Sequence, residues 1–168
     1  MGSADELLSA KLPAGGTVKE ALTGLIAKIG ENMQLRRVKV LTVNNGIVAG
    51  YSHMGGKIGT LVAIEGAAGA DDLAKDVAMH IAAANPRYLV ESEVDVSELE
   101  QEKDIARKRL QEEGKPADLI EKILVGQMKK FYKEVCLNEQ AFIKDPNVSV
   151  AKHVDILTGI YALTVSKG

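Results

Sequence analysis

Between residues 34 and 66 the chain spells three β-branched runs separated by turn residues, and that punctuation constrains the fold most. "QLRRVKVLTV" (34–43) ends at Asn44-Asn45-Gly46, "IVAGYSH" (47–53) ends at Met54-Gly55-Gly56, and "KIGTLVAIEG" (57–66) follows. Asn-Gly steps tolerate the left-handed backbone that tight hairpins require. Connections this short join antiparallel neighbours, because a parallel crossover needs a dozen residues or more. The spacing predicts a three-stranded antiparallel meander. "ILTGIYALTV" (156–165) reads as a further strand able to join it.

Helical periods surround this block. Thr17 opens "TVKEALTGLIAKIGEN" with Glu20 three residues on, a capping-box spacing, and Gly30 and Asn32 mark its end. Residues 66–70 read as a loop. Asp71 or Asp72 starts a small-residue helix that Asn85-Pro86 stops, since the residue before proline avoids the helical region. Two charged amphipathic segments follow, 97–114 and 117–135, broken at Gly114-Lys115-Pro116, which reads as an antiparallel helical hairpin. "SVAKHVD" (149–155) reads as a short helix.

The predicted fold class is therefore α+β: a three- to four-stranded antiparallel meander with helices packed on one face and a protruding helical hairpin. Residues 1–16 read as tag and linker, with Met1, Gly2 and Ser3 resembling an expression remnant. Residues 17–94 and 136–168 form the core, and 95–135 the inserted hairpin. Residues 17–43 and 149–165 both run from a Ser/Thr-capped helix into Leu-Thr-Val, which hints at a duplicated αβ element.

The side-chain inventory narrows the chemistry. With aromatics at 4% and no Trp, the core must come from Val, Ile, Leu and Ala. A net charge of −2 gives no general attraction to nucleic acid or to an anionic membrane. No apolar run approaches the roughly 18 residues of a membrane span. His53, His80 and His153 lack metal-ligand spacing. Cys136, the single cysteine, has no adjacent base and reads as a structural thiol. "HMGGKIGT" fails as a phosphate loop, because a strand follows Lys57 where a Walker loop needs a helix. Gly59, within a strand, marks a bulge or a place where another backbone comes close. His80 stands among alanines and reads either as a ring satisfied inside its own domain or as the polar anchor of a contact surface.

Four segments in order carry a family resemblance: "IAKIGENMQLRRV", "GYSHMGGKIGTLVAIEG", "LAKDVAMHIAAANPRYL" and "EEGKPADLIEKILVGQMKKFYKEVCLNEQAFIKD". Together, from about Leu25 to the C-terminus, the chain resembles bacterial-type elongation factor Ts. The resemblance implies a guanine-nucleotide exchange factor of elongation factor Tu, working in translation in the cytoplasm or an organelle matrix. Such a protein makes and breaks no covalent bond and needs no cofactor or metal. It binds Tu in GDP-bound and nucleotide-free states, preferring the latter, and the coupling is reciprocal. By motif match Ile58 and Gly59 from the strand-turn, and Met79 and His80 from the helix, are the expected partner contacts, with Gly56 and Lys57 on the same turn. No nucleic acid or membrane partner is implied, and a homo-oligomer is left open. The family's Thr-Asp-Phe-Val segment, tied to disturbance of the Mg²⁺ site of Tu, has no counterpart in this sequence. The chain is therefore expected to be a C-terminal portion that grips Tu with reduced exchange. Two other classes stay open: a small-molecule enzyme or anion-binding domain using the turn from Gly55 to Lys57, and a coiled-coil adaptor using residues 97–135.

Overall fold

The computed structural model describes residues 2–66, 70–154 and 159–166, with side chains described as far as residue 154. Met1, residues 67–69 of the expected loop, and residues 155–158 of the expected tail helix and strand lie outside these. Among the described residues the fold is α+β, with six helices and two small antiparallel sheets. The chain divides into two compact units, residues 1–42 and 43–168.

In the first unit, α1 (Ala4–Ser9) starts at Ser3, whose hydroxyl accepts from Glu6 N. Part of the stretch expected as tag and linker is thus helical. α2 (Val18–Ile29) carries the expected capping box. Glu20 N donates to Thr17 Oγ1 at 3.2 Å and Thr17 N to Glu20 Oε2 at 2.7 Å. Gly30 closes the helix in the left-handed region. Residues 34–43, expected as a strand, form neither strand nor helix. β-branched composition favours a strand only where a neighbour supplies the ladder and a core covers one face. Here Arg36, Arg37, Lys39 and Val40 are exposed.

In the second unit, β1 (Gly46–His53) and β2 (Ile58–Glu65) form an antiparallel hairpin. α3 (Asp71–Ala84) follows, and then α4 (Val96–Glu112) and α5 (Ala117–Val135). β3 (Ala141–Phe142) and β4 (Asp145–Ser149) make the second sheet, which leads into α6 (Val150–His153) and β5 (Gly159–Ser166). β5 pairs antiparallel with β2, so the first sheet runs β1-β2-β5 and β2, which carries Gly59, is its central strand. The Asn44-Asn45-Gly46 signal therefore serves the entry to β1 and not a hairpin. A side chain at Gly46 would run into Ile64 O and Val43 Cγ2, so only glycine allows that close approach.

Alternation sets the buried face. The cross-strand pairs Ile47↔Ile64, Ala49↔Val62 and Tyr51↔Thr60 share one side of the pleat. That side packs on Ala74, Val77, Ala78 and Ile81 of α3, with Leu137, Phe142 and Val150 completing the core. On the other side Val48 and Leu61 are exposed.

α4 and α5 pack on each other. Ala106 and Leu110 meet Ile120 and Leu124 in a cluster of their own, while Arg107 pairs with Glu121. A separate cluster at their root joins Val94, Phe131, Val135 and Cys136 with Leu99 and Tyr88. The chain leaves and re-enters the core at this neck. Arg87 N and Tyr88 N both donate to Val135 O, and Leu137 N donates to Tyr88 O at 2.9 Å. Gly126, at mid-helix in α5, faces open space, and glycine there costs about 1 kcal/mol relative to alanine.

Candidate functional site

One buried bond organises the site. Thr60 Oγ1 donates to Ala78 O at 2.7 Å, stitching β2 to α3. Thr60 follows Gly59 directly and Ala78 precedes Met79, so the bond sets the Ile58-Gly59 end of β2 beside the Met79 turn of α3. Ile58, Gly59 and Met79 are each half-buried, whereas Gly56 and Lys57 are exposed on the adjoining turn. That turn is tight: Met54, Gly55 and Gly56 all have positive φ. Met54, the apex, is 62% exposed in a backbone conformation that side chains resist. The turn runs straight into β2, so the Gly55-Gly56-Lys57 stretch has no helix N-terminus behind it to hold a phosphate.

His80 lies inside. It is 2% exposed, and both ring nitrogens are occupied within the chain. Ile143 N donates to Nδ1 at 3.2 Å, so Nε2 carries the proton and donates to Gln140 Oε1 at 3.0 Å. Gln140 Nε2 in turn donates to Glu134 O at 2.9 Å. The relay runs from α3 through the Gln140 amide to the last turn of α5, leaving no polar atom of the ring or the amide group unpaired. This corrects the expectation that the imidazole itself is a surface anchor: its bonds tie α3 to Gln140 and Ile143, the residues on either side of β3, and through Gln140 to α5. A neighbouring ring, Phe142, stands 5.9 Å from His80 and stacks on His153 at 3.9 Å.

The surface over His80 includes a residue that sequence reasoning missed. Ile143, bonded to the ring through its backbone, is 48% exposed. Lys144 beside it pairs with Asp76, one helical turn before His80. Nothing local in "AFIKD" signals this, because its neighbour on α3 is more than sixty residues away in sequence.

Burial holds the His80 imidazole below its ordinary pKa of 6.5, with the Gln140 bond opposing the shift. The sign for stability follows. An unfolded ring takes up a proton near pH 6.5 while the folded ring does not, so its contribution is complete above that pH. It is lost as pH falls through the folded value. The stability gap between the wild type and His80→Gln should therefore narrow from neutral pH toward about pH 5, as read from urea midpoints. A gap that widens on acidification would contradict the buried neutral ring.

Other chemistry is sparse. Among the described residues no three His, Cys, Asp or Glu side chains gather as a metal site would require. Burial, with Glu91 and Glu139 nearby, pushes the Cys136 thiol up to about 11, so it stays protonated at neutral pH. Two open cavities of about 290 and 450 Å³ flank α4 and α5, and neither is lined by residues of the 55–57 turn. Among the described residues no helix is long and apolar enough to cross a membrane.

The family model for Elongation factor TS matches residues 1–164, a span that includes residues 1–16. A protein named Elongation factor Ts from Clostridium botulinum (strain Alaska E43 / Type E3) is 45% identical over 154 residues, covering 90% of this chain and 51% of the relative. The Clostridium perfringens (strain ATCC 13124) protein of that name is 46% identical over 155 residues, with coverages of 90% and 51%. That of Magnetococcus marinus is 48% identical over 144 residues, with coverages of 84% and 48%. The chain thus spans about half the length of the curated relatives it matches. With a family match over nearly its whole length and relatives at this identity, the chain belongs to the elongation factor Ts family.

Proposed function

We propose that this chain is the gripping part of a guanine-nucleotide exchange factor for elongation factor Tu, acting in translation in the cytoplasm and catalysing no covalent chemistry. The observation that carries this reading is the Thr60–Ala78 bond, which brings the family-matched Ile58-Gly59 strand end beside the Met79 helix turn. Ile58, Gly59 and Met79 would touch Tu directly, joined by Ile143 from the structure. Gly56 and Lys57 would sit at the rim. His80 acts from beneath, holding Met79 and Ile143 in register. Residues 95–135 would project as an arm that strengthens the grip without providing it. On this reading the residues of this chain grip Tu more than they speed exchange.

Immobilised Tu tests this. The chain should bind nucleotide-free Tu better than Tu in excess GDP, as reciprocal coupling requires, and should release labelled GDP slowly. Binding that ignores GDP, or full-speed release, would refute the proposal. Met79→Ala should cost about 1 kcal/mol or more of binding with thermal stability nearly unchanged. Unaltered binding would remove Met79 from the contact.

A further inference from the structure

α5 turns Ile120, Leu124, Met128, Phe131 and Val135 inward. The opposite line of the helix, at steps of seven residues, holds Leu119, Gly126 and Lys133. Lys122 and Lys129 flank this line on one side and Lys130 on the other, and all of these residues are exposed. From Leu119 to Lys133 the face runs about 21 Å. Of the helix's carboxylates, Glu121 and Glu134 fall outside this arc, while the exposed Asp118 lies at its edge, on the same line as Val125 and one turn before Lys122. Among the described residues Lys122, Lys129 and Lys133 make no ion pair, and Lys130 reaches Glu134 only at 4.0 Å. Leu119 is 40% exposed and Val125, on the flank, 60%.

Gly126 gives this face its meaning. Among the described residues a Cβ there would meet nothing within 4 Å, so none of them calls for glycine by packing, although alanine would hold the helix better. A glycine on an open helix face lets another backbone come close. We propose that this face of α5 docks an acidic amphipathic helix of another protein. That helix would cross at Gly126, with carboxylates on Lys122, Lys129 and Lys133 and apolar side chains against Leu119 and Val125. The exposed apolar side chains favour a protein helix over a nucleic-acid strand, which uses stacking platforms; the ring nearest the face, Tyr132 on the line of Val125, is half-buried against the Val94 and Phe131 cluster. The surface is distinct from the β2–α3 site and does not rest on the exchange reading.

The test is a titration of the ¹⁵N-labelled chain at low salt. The probe is a synthetic alanine-based helical peptide with leucine along one line and glutamates flanking it. Saturable amide shifts should centre on Gly126 and its lysine neighbours. The Lys122→Glu, Lys129→Glu, Lys133→Glu variant should bind roughly tenfold more weakly or worse at an unchanged melting temperature. Gly126→Ala should move two readouts in opposite directions, raising the melting temperature while weakening the peptide. Absence of saturable shifts on this face would overturn the proposal. So would a Gly126→Ala variant that is stabilised yet binds as before, or an RNA duplex shifting these amides where the peptide does not.

Discussion

Phe142→Ala should lower the unfolding free energy by about 3–5 kcal/mol, read from urea denaturation at neutral pH. Phe142 is among the largest fully buried side chains, at 2% exposure. In a chain with so few aromatics, no other ring can fill its place. His153 stacks on it at an interplanar angle of 17° and His80 lies tilted against it. The surrounding core draws on separate elements, namely β1, β2, α3, the 3₁₀ turn Leu137–Glu139 and α6. Such a wall collapses poorly onto a void, which places the cost toward the upper part of the range. The neighbouring Ile143 should lose its fixed position, so affinity for Tu should fall as well. A loss below about 1 kcal/mol would mean that the ring does not bridge these elements.

His80→Ala should cost about 2–4 kcal/mol of stability. It deletes a buried ring and strands the Ile143 N–H and the Gln140 Oε1, both of which now pair with it. Tu binding should weaken in step with stability, because the ring acts through the elements it holds. That is the opposite signature from Met79→Ala. Unfolding curves and surface binding on the same samples separate the two outcomes. Lost binding with an unchanged urea midpoint would return His80 to direct contact.

Much of the local structure was legible in the residues themselves. Thr17 and Glu20 marked the start of α2. Asn85 before Pro86 stops α3 in the left-handed region, and the glycines at 55 and 56 turn β1 into β2. These signals lie within a few residues of what they specify. The failures share the opposite property. Residues 34–43 have strand composition, but whether a ladder forms there depends on a neighbour, which composition does not encode. The β3–β4 pair was missed because it is short and holds Pro146. At His80, the choice between satisfied ring and surface anchor turned on Gln140 and Ile143, sixty or more positions downstream. Periodicity in α3 can say that His80 shares a face with buried residues, but not which groups stand opposite.

The neck at Tyr88 and Cys136 has an evolutionary consequence. Where the chain departs and where it returns are locked by backbone bonds to Val135 O and Tyr88 O. The intervening helices end in a cluster that shares no residue with the main core. Whole turns can therefore be added to or trimmed from both helices together, since loop-closure cost varies only slowly with length. Relatives are free to differ in arm length while Phe142 and the β2–α3 stitch stay put.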